Sequence, residues 1–367
     1  MNEKKHHEPF IRISKKGVTP WHIAWSIRLA CVIAAFMVCA FVIVLITDYN
    51  PVEVFKEMFN GSFGTTRKVW TAMQNTAILL CISLAVTPAF KMKFWNLGAE
   101  GQVLMGALAT AACMITFGST MDPTLLIFVS IGASVLTALV WAILPAIFKA
   151  KWNTNESLFT LMMNYVAIQL VAYCITFWEN PKGSNTVGII NFNSEAGWLP
   201  SVFNQQYFLN IVIVLVLTVM MFIYLKYSKQ GYEISVVGES ENTAKYIGIN
   251  VKKVIIRTVA VSGALCGIAG FLLVAGTGHT ISTDTAGGQG FTAIMVSWLA
   301  KFNPFVMMAT SFLLVFLDRG ASEIATAFRL NESVSEILSG IILLFIIGSE
   351  FFINYKVSFP RFKKEGK

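Results

Sequence analysis

The sequence predicts an all-α, polytopic membrane protein of about ten transmembrane helices, and three observations predict it. Its 367 residues are 55% hydrophobic and only 13% charged, where a soluble domain carries about a quarter. Apolar runs close to the roughly 20 residues that cross a hydrocarbon core of about 30 Å recur along the chain. Basic residues then collect on alternate connections between those runs. The chain holds 28 Lys and Arg against 20 Asp and Glu, but they lie in short segments with no basic face on a soluble domain, which excludes nucleic acid as a partner. They read instead as topology signals, and the apolar runs make membrane lipids the surroundings of the chain.

Taken in order, residues 1–26 form a basic leader, 27–353 the transmembrane domain and 354–367 a basic tail. The first run, Ile27 to Thr47, is too long for a signal-peptide core and stays in the membrane. Asp48 to Lys68 places Val52, Phe55, Met58 and Phe59 at helical spacing, as an interfacial helix or a structured loop. Further runs follow at Thr71–Phe90, at about Gly98 to Gly118, and at Thr124–Phe148 and Ser157–Trp178. Residues 179–207, rich in Pro, Gly, Ser and Asn, predict an irregular exposed loop. After Phe208–Leu225 comes a polar segment, 226–253, and then a run from Val254 to about Gly276. The eighth run, about Gly290 to Ala300, is short and follows Gly287-Gly-Gln-Gly290, the pattern of a broken or re-entrant helix. Phe305–Leu317 and Ile337–Ile353 complete the set.

With an intracellular N-terminus, ten crossings place all but six of the basic residues on the inner side. The six are Lys56, Arg67, Lys68, Lys182, Arg319 and Arg329. The bias predicts cytoplasmic termini, a cytoplasmic loop at 226–253 and an extracellular loop at 179–207. The six cysteines all fall inside apolar runs without CxxC pairing and read as packing residues. His6 and His7 in the leader read as solvated, because a metal site needs three or four convergent ligands.

Phe94 to Gly106 is the most informative stretch. It sets Asn96, Glu100 and Gln102 among Gly98, Gly101 and Gly106 at the mouth of a hydrophobic run, where charge is costly and close backbone approach needs a reason. Glu100 as a headgroup-level residue at a helix start is the plain alternative. Polar groups that need partners inside the bilayer, and so could line a pathway, are Asn75, Asn96, Glu100, Gln102, Asn164, Tyr165 and Gln289. Phe94, Trp95 and Trp298 could stack on a planar ligand, against the alternative of an interfacial or packing role. The segment from Gly231 to Ile249 reads as a helix-turn-helix hairpin: a turn at Gly238 to Ser240, a cap at Ser240 or Asn242, and an end at Gly248. Such a hairpin could enter a groove on a soluble partner.

Three motifs carry a resemblance. Asn96-Leu-Gly-Ala-Glu-Gly-Gln102 resembles the signature of the bacterial ABC importer permeases of ribose-type sugars, branched-chain amino acids and nucleosides. Gly238-Glu-Ser-Glu-Asn-Thr-Ala-Lys-Tyr-Ile-Gly-Ile249 is similar to that family's cytoplasmic loop. Asn155-Glu-Ser-Leu-Phe-Thr-Leu-Met-Met-Asn-Tyr165 looks like the nucleoside branch. The chain departs from the pattern at Ser235-Val-Val-Gly238, where many relatives carry Arg-Ala before the glycine, and at Glu241.

The resemblance implies a permease subunit in the bacterial cytoplasmic membrane that moves nucleosides, with ribose-like sugars as the alternative. It implies a second, paralogous permease chain, an extracellular substrate-binding lipoprotein, and an ABC ATPase subunit. That ATPase would receive Glu233, Gly238, Glu239, Asn242, Ala244, Lys245, Tyr246, Gly248 and Ile249. ATP and magnesium belong to it: this chain lacks Gly-x-x-x-x-Gly-Lys-(Ser/Thr), and Gly287-Gly-Gln-Gly290 has neither the lysine nor the hydroxyl. No metal, cofactor or catalytic residue is expected here. A secondary transporter would need acidic or histidine relays at the centres of the spans. An intramembrane enzyme would need more than His279, Ser282 and Asp284 on one loop.

Overall fold

The computed structural model describes residues 12–17, 20–46 and 49–358; His6 and His7, the start of the leader and the basic tail from Arg361 onward lie outside them. The chain divides into two units, Met1–Thr65 with Phe316–Lys367, and Thr66–Val315.

The first unit joins the two ends of the chain. Strand β1 (Arg12–Lys15) pairs antiparallel with β2 (Tyr355–Ser358), Lys15 opposite Tyr355. Helices α1 (Trp21–Ile46) and α13 (Glu332–Asn354) continue the pairing into the membrane. They run antiparallel: the Lys16 amide donates to the Asn354 carbonyl at 2.8 Å, Arg28 pairs with Glu350 at 2.5 Å, and the Cys39 thiol lies 3.6 Å from the Leu338 carbonyl oxygen. The strands were not expected, since neither four-residue segment is a strand without the other and the pairing spans nearly the whole chain.

The segment after α1 is a helix, α2 (Pro51–Phe63). Asn50 caps it by accepting from the Val52 amide, and Pro51 supplies a fixed φ where no amide hydrogen is needed. The helix is one-sided, but its buried face is Val54, Met58, Gly61 and Ser62; of the four residues at the predicted spacing, Met58 is buried, Phe55 partly so, and Val52 and Phe59 face outward. Helix α12 (Pro304–Phe328) runs past the predicted end at Leu317. Its charges at Asp318, Arg319 and Glu323 mark a change of surroundings rather than the end of the helix.

In the second unit, α3 (Thr66–Lys91), α4 (Ala99–Phe117), α5 (Pro123–Trp152), α6 (Glu156–Trp178) and α7 (Phe208–Tyr227) precede the hairpin α8 (Lys229–Glu239) and α9 (Glu241–Tyr246). Helix α10 (Val251–Leu273), extended by a π-helical turn to Gly278, packs against α3, α4 and α5. Lipid tails are as apolar as leucine, so close backbone approach must do the work that the hydrophobic effect does in water. At Gly270 a Cβ would collide with the Val103 carbonyl oxygen and meet the Ala107 amide nitrogen at 2.6 Å, and Ser134 donates to the Gly267 carbonyl at 2.6 Å.

The loop 179–207 is irregular, as its composition predicts, but it is not wholly exposed. Val187, Ile190, Ala196 and Leu199 are buried, and the Ile190 and Leu199 amides donate to the carbonyls of His279 and Ala275.

Among the described residues nine helices are long and apolar enough to cross a membrane. The eighth predicted run is α11 (Gln289–Leu299), 11 residues or about 16 Å, which alone is too short. Strands β1 and β2 bring the two described ends of the chain side by side. Ahead of α11, the chain reaches the Glu100 carboxylate at Gly288, and α11 runs on to Trp298, whose ring meets Phe90 near the end of α3.

Candidate functional site

The stretch from Phe94 to Gly106 lies inside the bundle rather than at its mouth. The Asn96 amide nitrogen is 3.4 Å from the Ser262 hydroxyl, about 16 Å of helix beyond the start of α10 at Val251. The backbone from Asn96 to Gly98 is therefore non-helical inside the bundle, which is tolerated only where protein supplies the hydrogen bonds.

Backbone carbonyls take the amides of Met92, Lys93, Phe94 and Asn96, and side chains complete the set. Asn96 Oδ1 accepts from the Gly98 amide at 3.1 Å and from Gln102 Nε2 at 3.1 Å. Thr160 Oγ1 accepts from the Leu97 amide at 3.1 Å. Asn164 donates to the Leu97 carbonyl at 2.8 Å and accepts from the Gly101 amide at 2.9 Å. The first and third sequence motifs are thus two halves of one clasp between α4 and α6. Asn155, which opens the third motif, caps α6 by accepting from the Leu158 amide.

Glu100 is 8% exposed, and its carboxylate accepts from the Gly288 amide at 2.7 Å and the Gly290 amide at 2.8 Å. It stands in the first turn of α4 and against the first turn of α11, so two helix N-termini converge on one carboxylate. Each contributes partial positive charge and otherwise unpaired N–H groups. Gly288, at φ +72°, turns the chain into α11.

The other predicted pathway residues divide. Trp95 and Trp298 are each 47% exposed and stacked, ring centroids 5.9 Å apart at 25°, with Phe90 edge-on to both. Gln289 sits at the start of α11, its buried Oε1 without a hydrogen-bond partner. Phe94 is 3% exposed and belongs to the core beneath the hairpin with Ile234 and Val237. Tyr165 points outward from α6, and Asn75 is half-buried on α3, away from the clasp. Sequence reasoning missed Thr160, Ser262 and Gly290, whose roles come from neighbours distant in sequence. Gln74, which with Asn75 makes the start of the second run polar, is fully buried and bonded to Thr277 Oγ1 at 2.5 Å.

The hairpin forms as its residues predict. Ser240 is the cap, accepting from the Thr243 amide, and Gly248 at φ +83° closes the second helix. Gly238 and Ala244 are buried and fix its base, together with partly buried Ile249; Glu233 is held by Arg257 at 2.8 Å. Glu239, Asn242 and Lys245 are exposed, and Tyr246 is 91% exposed at the tip.

On the opposite side of the unit, His279 stacks on Trp198 at 3.7 Å and 10°, with Nε2 3.0 Å from Gln206. Burial holds its pKa below the ordinary imidazole value, only partly offset by its backbone hydrogen bond to Val274. The folded form therefore binds fewer protons than the unfolded, and this contribution to stability is complete above about pH 6.5 and lost as pH falls through the lowered value. Acidification is expected to unstack the pair, read as a pH-dependent change in tryptophan emission that His279→Gln removes; identical titrations of the two proteins would refute it.

Residues 70–347 match the family of branched-chain amino acid transport system permease components. The chain is 28% identical to the guanosine ABC transporter permease protein of Bacillus subtilis, over 88% of this chain and 92% of that one. It is 26% identical to the nucleoside ABC transporter permease protein of Lactococcus lactis, over 92% and 93%. It is 25% identical to the glucose ABC transporter permease protein of Haloferax volcanii, over 95% and 93%. No solved structure matches. Family match and apolar helices together make this a multi-pass protein of the cytoplasmic membrane. The chain belongs to the family of branched-chain amino acid transport system permease components, membrane subunits of ABC transporters that work with a separate ATPase subunit and a substrate-binding protein.

Proposed function

We propose that this permease imports nucleosides, purine nucleosides foremost. The observation that carries the reading is the half-exposed indole pair Trp95 and Trp298, Trp95 being next in the chain to Asn96 of the clasp. Flat π faces stack on a nucleobase at about 1–3 kcal/mol per base, whatever its sequence of ring substituents. The guanosine and nucleoside permeases among the relatives support the same substrate class, while the glucose permease keeps ribose-like sugars as the second reading.

The working orientation follows from the charge bias: both termini and the α8–α9 hairpin face the cytosol, and 179–207 faces the substrate-binding lipoprotein. The hairpin's exposed Tyr246, Ile247 and Tyr232 offer the apolar anchors that a groove on the ATPase would take. ATP and magnesium act there, and a second, paralogous permease chain completes the pathway.

Uptake of labelled guanosine, ribose and glucose by cells with and without this chain tests the substrate. Trp298→Ala is expected to lower guanosine uptake about tenfold, in line with one lost stacking contact, and to leave sugar uptake nearly unchanged. Equal losses for guanosine and ribose would remove the nucleobase from the proposal.

A further inference from the structure

Where α1 and α13 diverge below the β1–β2 ribbon, they leave an open groove of about 780 Å³. Its walls include Ala30, Cys31 and Ala34 from α1 with Leu344 and Gly348 from α13, and its mouth holds Lys16 and Lys356. We infer that this groove is a binding site for an anionic glycerophospholipid, its headgroup on Lys16 and Lys356 and an acyl chain between the two helices.

The chemistry of the lining favours that occupant. Small side chains on the α1 wall, Ala30, Cys31 and Ala34, face Leu344, Phe345 and Phe352 on the α13 wall, with Gly348 between them, an apolar slot that a flexible hydrocarbon chain fills without ordering a partner protein. No carboxylate lines the groove among the described residues. Glu350, on the same helix as Gly348, is held by Arg28 at 2.5 Å. Lys16 donates to the Phe352 carbonyl at 2.9 Å, which fixes its ammonium at the rim, and Lys15 is exposed on the same strand. Tyr355, stacked on Phe351, stands at the level where amphipathic rings mark the membrane interface. Basic pockets between transmembrane helices take anionic headgroups for these reasons, and long lysine side chains reach such headgroups from an apolar stem. A second copy of this chain would instead bring two lysine pairs together.

The test uses the full-length permease in its transporter complex, released from vesicles holding equal phosphatidylglycerol and phosphatidylcholine and weighed by native mass spectrometry. The native chain should retain phosphatidylglycerol preferentially. Lys16→Gln with Lys356→Gln should lower that retention about tenfold or more, each lysine near an anionic surface being worth about fivefold. Gly348→Leu should abolish it with the charges intact; a Cβ at Gly348 meets nothing within 4 Å, so the larger side chain enters the groove without straining the fold. In the unmodified protein, Cys31 alkylation by a lipid-soluble maleimide should be slower in phosphatidylglycerol vesicles than in phosphatidylcholine. Equal retention of the two lipids by the native chain, unchanged retention in Gly348→Leu, or equal Cys31 alkylation in both lipids would overturn the assignment.

Discussion

Glu100→Ala is expected to lower the thermal unfolding midpoint sharply and to abolish uptake. The carboxylate is the acceptor for the Gly288 and Gly290 amides, and with it gone the amide of buried Gly290 loses its acceptor. An orphaned buried amide costs about 1–3 kcal/mol, and the lost bond to the exposed Gly288 adds to it. The cost falls on the start of α11, a helix of 11 residues whose first turn rests on this carboxylate. Glu100→Gln keeps one acceptor oxygen but turns an NH₂ group toward the second amide, and should fall between. Native stability and uptake in Glu100→Ala would mean that α11 is positioned by something other than this carboxylate.

Gly238→Val should separate transport from ATPase action with the membrane core intact. Any Cβ at Gly238 collides with the Lys91 carbonyl oxygen at the end of α3, a backbone atom that cannot rotate away. Helix α8 must move off α3, drawing Ile234 and Val237 from their core with Phe94. Overpacking of this kind costs about 1–3 kcal/mol, enough to lower a docked population about tenfold. Membrane yield should stay near native while co-purification of the ATPase and ATP-driven uptake fall together. Tyr246→Ala gives the strain-free counterpart, since the side chain is 91% exposed: the same loss of ATPase with an unchanged unfolding midpoint. Retention of the ATPase by both variants would place the docking surface elsewhere on the chain.

Most of the fold is legible in the sequence because it depends on composition over 20-residue windows, and the bilayer makes composition decisive. The hairpin is legible for a different reason: Ser240 and Gly248 act on backbone within three residues of themselves. What stayed hidden depends on pairing across long separations. Glu100 looks like a residue at a helix mouth until Gly288 and Gly290 are seen on its oxygens, and nothing local ties positions 100 and 290. Asn164 and Asn96 are legible as buried polar groups, but not as the acceptors of one clasp. Phe94 and Trp95 are adjacent and similar in type. A left-handed Lys93 just before them, at φ +61°, precedes a turn that sends one ring into the core and leaves the other on the surface.

The ribbon that ties the two ends of the chain also sets the order of its biogenesis. Helix α1 (Trp21–Ile46) leaves the ribosome about 300 residues before its antiparallel mate (Glu332–Asn354). Through synthesis of everything between them, Arg28 sits in a nascent membrane segment with Glu350 still unmade. Insertion machinery or anionic lipid must shelter that charge for the interval, and a ribosome stalled before residue 350 should leave α1 extractable where the released chain is not.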